Sequence, residues 1–242
     1  MTEPTRPLKF KLSRVGLPRG RFDRAGVCGA VLPTVLELDL SGCSVLTDGG
    51  LEELVGTMPQ LVTLRLTMNA HLRQPRLTCP KLRSASLAIC TNLADMAVEH
   101  LTLHSPLLHE LSLWRCASLR STRIEGENLQ RLNLCECFEL SDAAVGRLSE
   151  TCPQLQSLLL AGCASLASPA TLGSSSLTSL DLSDVPALSD ETLSAACERA
   201  PSLQRLDISR CESLLVPQLG GPRLQVRSSP ARLSHTCRPH FA

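Results

Sequence analysis

Aromatic side chains make up only 2% of the 242 residues, and Trp114 is the single tryptophan. The core must therefore be filled by leucine, valine and alanine, which disfavours large ring-lined cofactor pockets; no cofactor is expected. Also lacking is an apolar run long enough to cross a bilayer. The stretch from Ala25 to Leu36 is too short and too interrupted, and no charged segment followed by an apolar one opens the chain. The expectation is a soluble protein of the cytoplasm or nucleus with no membrane partner. The short motifs of chemistry are missing too: there is no C-x-x-C pair, no H-E-x-x-H, no G-x-S-x-G, no P-loop and no G-x-G-x-x-G. His100 and His104, four apart beside Glu99, would share a helical face. His109 lies past Pro106 in another segment, so a solvated surface is the simpler reading than a zinc site. Neither a metal nor catalysis is expected.

Charge is unevenly spread behind a formal total of +1. Residues 1–30 carry seven Lys/Arg against Glu3 and Asp23, and residues 220–242 carry four Arg and no acid. The middle keeps 13 basic and 21 acidic side chains, a net of −8, which argues against a nucleic-acid partner. The basic ends read as solvated, disordered extensions.

What is abundant is leucine in a fixed frame, L-x-x-L-x-L-x-x-C. It opens at Val35, Leu61, Leu82, Leu108, Leu129, Leu155, Leu177 and Leu203, giving units of 26, 21, 26, 21, 26, 22 and 26 residues. A period of this length on this frame marks an α/β leucine-rich-repeat solenoid, a horseshoe arc with a parallel sheet on its concave side. The domain plan follows: residues 1–34 basic and disordered, with a cap at 26–34 supplied by Val27, Val31 and Leu32; residues 35–224 the eight-unit repeat domain; residues 225–242 a basic tail. After Leu224 the frame dissolves, which reads equally as an improvised cap or a truncated chain.

Within each unit the last two apolar residues alternate with polar ones, as in Arg205-Leu206-Asp207-Ile208-Ser209. Period two sends the leucines inward and the others to the concave face. Long units continue into Asp48, Asp95, Asp142 and Asp190, each expected, sometimes helped by the preceding Ser or Thr, to cap a helix of about two turns. The apolar pairs Leu51/Leu54, Val98/Leu101, Val145/Leu148 and Leu193/Ala196 would face the core. Short units omit five residues, about 7.5 Å of helix. Pro75, Pro169 and Pro217, with Thr122 at the equivalent place, favour extended chain there, and Leu77, Ile124, Leu172 and Leu219 plug the core. Convex segments should thus alternate between helix and extended chain.

Eight of the twelve cysteines obey the repeat, Cys79 and Cys152 each preceding a proline just before the next strand. Cys43, Cys90, Cys116, Cys137, Cys163 and Cys211 end the frame, where Asn69 and Val185 stand in the other two units. One such column stacks about 5 Å apart and faces inward, so these thiols read as small buried hydrophobes with a weak donor, kept reduced.

The units LQSLLLAGCASL at residues 155–166 and LQRLNLCECFELSD at residues 129–142, with the Thr151-Cys152-Pro153 ending, resemble the cysteine-containing repeats of F-box/LRR proteins and the related antagonist-of-mitotic-exit-network family. The resemblance spans residues 35–224. It implies capture of a target protein by the repeats and, through an F-box, docking to the adaptor of an SCF ubiquitin ligase. Residues 1–34 are short, basic and punctuated by proline and glycine, so they do not supply an F-box; adaptor contact would need one outside this chain. The alternative is a free-standing scaffold with no ubiquitin link.

The concave positions nominate the binding residues. Trp114 is expected there with Arg115 after it, Arg131 on the next strand and Leu159 one strand beyond, a composition typical of interface hot spots. Arg65, Glu110, Asn133 and Asp181 are the polar candidates. The competing reading is that Trp114 folds over the sheet edge and shields Leu113.

Overall fold

Two inward leucines per unit, one period-two step apart, leave each short strand unable to bury its apolar side alone; stacking unit on unit does so. The computed structural model describes residues 8–11, 34–167, 172–215 and 224–228. Within the described residues ten strands form one sheet in chain order, every neighbouring pair parallel. These are β1 (Leu8–Lys11), β2 (Val35–Asp39), β3 (Thr63–Arg65), β4 (Ser84–Ser86), β5 (Glu110–Ser112), β6 (Arg131–Asn133), β7 (Ser157–Leu159), β8 (Ser179–Asp181), β9 (Arg205–Asp207) and β10 (Gln225–Arg227). Leu40, Leu66, Leu87, Leu113 and Leu134 are 0–2% exposed and line up in one buried row. Each donates its N–H sideways, Leu40 to the Arg65 carbonyl at 2.8 Å and Leu113 to the Asn133 carbonyl at 2.8 Å, so the ladder continues past the strands proper.

The convex side alternates as expected. Long units carry α1 (Asp48–Gly56), α2 (Asp95–Leu103), the pair α3 (Asp142–Val145) and α4 (Leu148–Thr151), and α5 (Asp190–Arg199). The short segments after Asn69 and Cys116 have no helix; Pro75 and Thr122 are both buried at the same station, and Leu77 and Ile124 plug the core at 1% and 2% exposure. Pro169, Pro217, Leu219 and the proposed cap residues Val27, Val31 and Leu32 lie outside the described residues. The third helix is split at Gly146, a residue that gains little from helical order. At the same station α1 and α2 have Glu52 and Glu99.

The capping assignment needs correction. The N-caps are Thr47, Ala94, Ser141 and Ser189, one residue before each Asp. The carboxylates instead reach into the next unit. Asp48 accepts the N–H groups of Arg73 and Gln74, both at 2.9 Å, and Asp95 those of Arg120 and Ser121 at 3.0 and 3.1 Å. Asp142 and Asp190 accept from Ala167 and Leu215, both at 3.2 Å. An extended short segment leaves its amides unpaired, and the preceding helix's first-turn Asp is the nearest acceptor.

Two findings bear on the domain plan. Leu8–Lys11, placed by the sequence reading in a disordered extension, pairs with β2 as β1, because the first repeat strand otherwise presents an unpaired edge. Gln225–Arg227 likewise pairs with β9. Its side chains are exposed, so it covers backbone rather than core.

The cysteine column behaves as a ladder of donors. The thiols of Cys90, Cys116, Cys137, Cys163 and Cys211 donate to the carbonyls of Leu66, Leu87, Leu113, Leu134 and Leu182 at 3.0–3.2 Å. Asn69 does the same with its amide, to Leu40 at 3.0 Å and Leu66 at 2.8 Å. Burial pushes the thiols of Cys79 and Cys137 up to about 12 and that of Cys90 up to about 11.

Candidate functional site

Strand register assembles the concave face into rows. One row runs Glu37, Thr63, Ser84, Glu110, Arg131, Ser157, Ser179, Arg205; the row beside it runs Asp39, Arg65, Ser86, Ser112, Asn133, Leu159, Asp181, Asp207. Asp39, Asn133, Asp181 and Asp207 in the second row each use Oδ1 to accept the N–H two residues on, at 2.9–3.0 Å. These are Asx turns that settle the chain as it leaves the strand.

Asn133 therefore does not serve as a free polar contact. It is 3% exposed and its side-chain oxygen is committed to the Cys135 N–H, a correction to its expected role. Ser112 beside it in the row is buried too, at 7% exposure. Glu110 and Arg131 are register partners and pair with each other at 2.9 Å. Leu159 is half-buried on β7. Arg65 has no ion-pair partner among the described residues; it borders a hollow of about 40 Å³ whose other walls include Ser84, Ser86, Ser112 and Glu110. Asp181 is held by Ser183, whose hydroxyl donates at 2.7 Å. Burial raises its carboxyl above the ordinary range; the Ser183 bonds oppose the shift, and Asp207 and Asp184 add to it.

Trp114 lies where β5 leaves the sheet, half-buried. Its indole N–H donates to Glu136 Oε1 at 3.2 Å, and Arg115 Nε meets Glu136 Oε2 at 3.1 Å. The Arg115 guanidinium is 5.7 Å from the indole centroid, within cation–π range. Trp114, Arg115 and Glu136 thus form one cluster across two units.

The cluster sits on a column that sequence reasoning missed. Gly42, Met68, Ile89, Arg115, Glu136, Gly162, Asp184 and Arg210, each just before the ladder position, all have φ between 56° and 73°. Six are not glycine, and Ile89 is β-branched, a conformation such residues rarely adopt. From Gly42 to Asp184 the turn is held by a lateral bond from the N–H, such as Ile89 to the Trp114 carbonyl at 2.7 Å and Glu136 to the Ala161 carbonyl at 2.7 Å. The column forms a rim along the exit end of the strands. Met68 stands out on it at 57% exposure, while Arg115–Glu136 and Asp184–Arg210 are ion pairs between adjacent units. Opposite charges at the same station of successive repeats were the available signal for Glu136.

His100 and His104 stack with ring centroids 4.0 Å apart and planes 17° from parallel. Their Nδ1 atoms lie 3.3 Å from the Leu77 carbonyl and 2.9 Å from that of His100. Among the described residues no three His, Cys, Asp or Glu are grouped to hold a metal ion, and no helix is long and apolar enough to cross a membrane.

No protein-family model and no curated protein sequence matches the chain. A chain in the crystal structure of the Rad7 and Elc1 complex in yeast is similar in fold, with a TM-score of 0.57 and 21% identity over 80% of this chain. The match covers 61% of that chain, so the present protein spans less than two thirds of its length. The likeness and the continuous parallel sheet give the same answer: the chain is a leucine-rich-repeat solenoid.

Proposed function

We propose that this protein is a non-catalytic recognition module that captures a target protein on its concave face, as the substrate-binding part of SCF-type ubiquitin-dependent degradation. The observation that carries the reading is the concave sheet itself, whose side chains are small or polar and leave an unobstructed ribbon for a partner. Trp114 is the anchor, its half-exposed ring and the adjacent Arg115 offering both apolar area and a cation. Arg65 and Asp181 supply charge at either side, and Leu159 an apolar contact. Glu110 and Arg131 enter as a pair, so a partner carboxylate competes with Glu110 for the guanidinium. The ubiquitin link draws support from the F-box/LRR resemblance of residues 129–166 and from the similarity to a chain found in the complex of Rad7 with Elc1. A scaffold without that link is the second reading, since the same concave sheet would serve it equally.

Co-purification tests the choice: recovery of the SCF adaptor with the chain supports the first reading, and its absence while a target is retained supports the second. Trp114→Ala should weaken target binding by about 2 kcal/mol and shift the melting temperature by less than about 4 °C. Undiminished affinity would remove Trp114 from the interface.

A further inference from the structure

The alternation of long and short units has a second consequence, away from the concave face. Where a short unit lies between two helical ones, the missing helix leaves a notch at the rim where the strands begin. The notch between the C-terminal ends of α2 and α4 is a cleft of about 800 Å³, a volume in the range of built ligand sites.

Its lining is particular to this notch. Gly126 lines the cleft as bare backbone, at a station held elsewhere by Met58, Cys79, Ser105, Cys152, Ser174 and Ala200; a Cβ there would crowd the Leu129 Cβ at 3.0 Å. Leu103 and Leu107, 62% and 37% exposed, form an apolar wall with Pro106 and Pro153. All its charged lining residues are acidic: Glu125, Glu127 and Glu150. Glu125 pairs with Arg123, but Glu127 and Glu150 have no ion-pair partner among the described residues. The C-terminal end of α2 adds partial negative charge. The repeat does not impose this chemistry. In the preceding notch Thr78, Pro80 and Lys81 stand where Glu125, Glu127 and Asn128 stand here.

We propose that this cleft is a second docking site, which takes a short basic and apolar segment of a partner protein. An apolar side chain of that segment lies against Leu103 and Leu107, and its lysine or arginine meets Glu127 and Glu150. Charge complementarity selects the occupant: an acidic or neutral segment would leave two carboxylates facing an apolar wall without a counter-charge. The site is separate from the concave face, so both surfaces can be filled together.

The probe is a fluorescein-labelled octapeptide of alternating leucine and arginine, titrated against the full chain by anisotropy at low salt. Saturable binding is expected, weakened about tenfold by Glu127→Gln with Glu150→Gln and lost in Leu103→Arg, a charge that suits a helix C-terminus and should not unfold α2. The double variant Glu53→Gln with Glu198→Gln removes the same net charge from exposed sites elsewhere and should bind as the wild type does. An alternating leucine and glutamate peptide should not bind. Equal losses in the two double variants would mean diffuse attraction and overturn the proposal. So would unchanged binding in the cleft variants, or a dimer of the chain that Leu103→Arg dissolves, since a second copy would then be the occupant.

Discussion

At the scale of the residue, the ladder thiols show how one side chain serves packing and hydrogen bonding together. A cysteine is small enough to stack between leucine layers, and its S–H supplies the inward carbonyl of the preceding unit with a partner. Burial raises the thiol pKa values from 9.0, to about 12 for Cys79 and Cys137 and about 11 for Cys90. In the unfolded chain these thiols lose protons near 9, while in the folded chain they hold them. Stability should therefore be flat below pH 9 and fall as pH rises from 9 toward 11, by about 1 kcal/mol per pH unit for each such thiol. Melting temperature against pH checks this. Cys90→Val with Cys116→Val, borrowing the residue found at position 185, should flatten the alkaline slope; an unchanged slope would assign it elsewhere. Asp181 makes the converse case. Its carboxyl is raised by burial, so its ionised form is strained at neutral pH. Asp181→Asn, which keeps the Asx turn as Asn133 does, should stabilise the fold by about 0.5 kcal/mol at pH 7. The gain should shrink as pH falls and the native carboxyl protonates.

At the scale of the element, the helices are fastened to their neighbours by carboxylates rather than merely capped by them. Asp95 joins the first turn of α2 to two backbone amides of the next unit. Asp95→Ala should destabilise the protein by about 1–2 kcal/mol and loosen the segment around Arg120 and Ser121, seen as faster amide exchange there. Ala94→Ser offers the complementary test. α2 lacks the side-chain cap that Thr47 and Ser189 give α1 and α5, so the serine should add about 0.5–1 kcal/mol. Were Asp95 itself the cap, the new hydroxyl would add nothing.

At the scale of the whole molecule, each unit leans only on its neighbours, so stability is shared along the arc and weakest at its ends. Leu113, Leu134 and Leu160 are 0–1% exposed, whereas Ile208 is 5% exposed and all of β10 faces solvent. Amide exchange should be slowest at Leu113, Leu134 and Leu160 and at least roughly tenfold faster at Ile208 and Gln225. Uniform protection along the arc would instead indicate a single cooperative block.

The repeat frame by itself determined the inward leucine row, the cysteine column, the parallel order and the alternation of helix with extended chain. Those features follow from periods of two and of 21 to 26 residues, which are properties of the chain read in one dimension. Tertiary structure alone decided the rest: that Asn133 is covered, that Glu110 spends its charge on Arg131, that Trp114 leans on Glu136, and that first-turn aspartates bind the following unit. The last three are contacts between units some twenty residues apart in sequence but one strand spacing apart in space. Which side chain wins a given donor there depends on the curvature and register of the stacked coil, and those exist only once the units have packed.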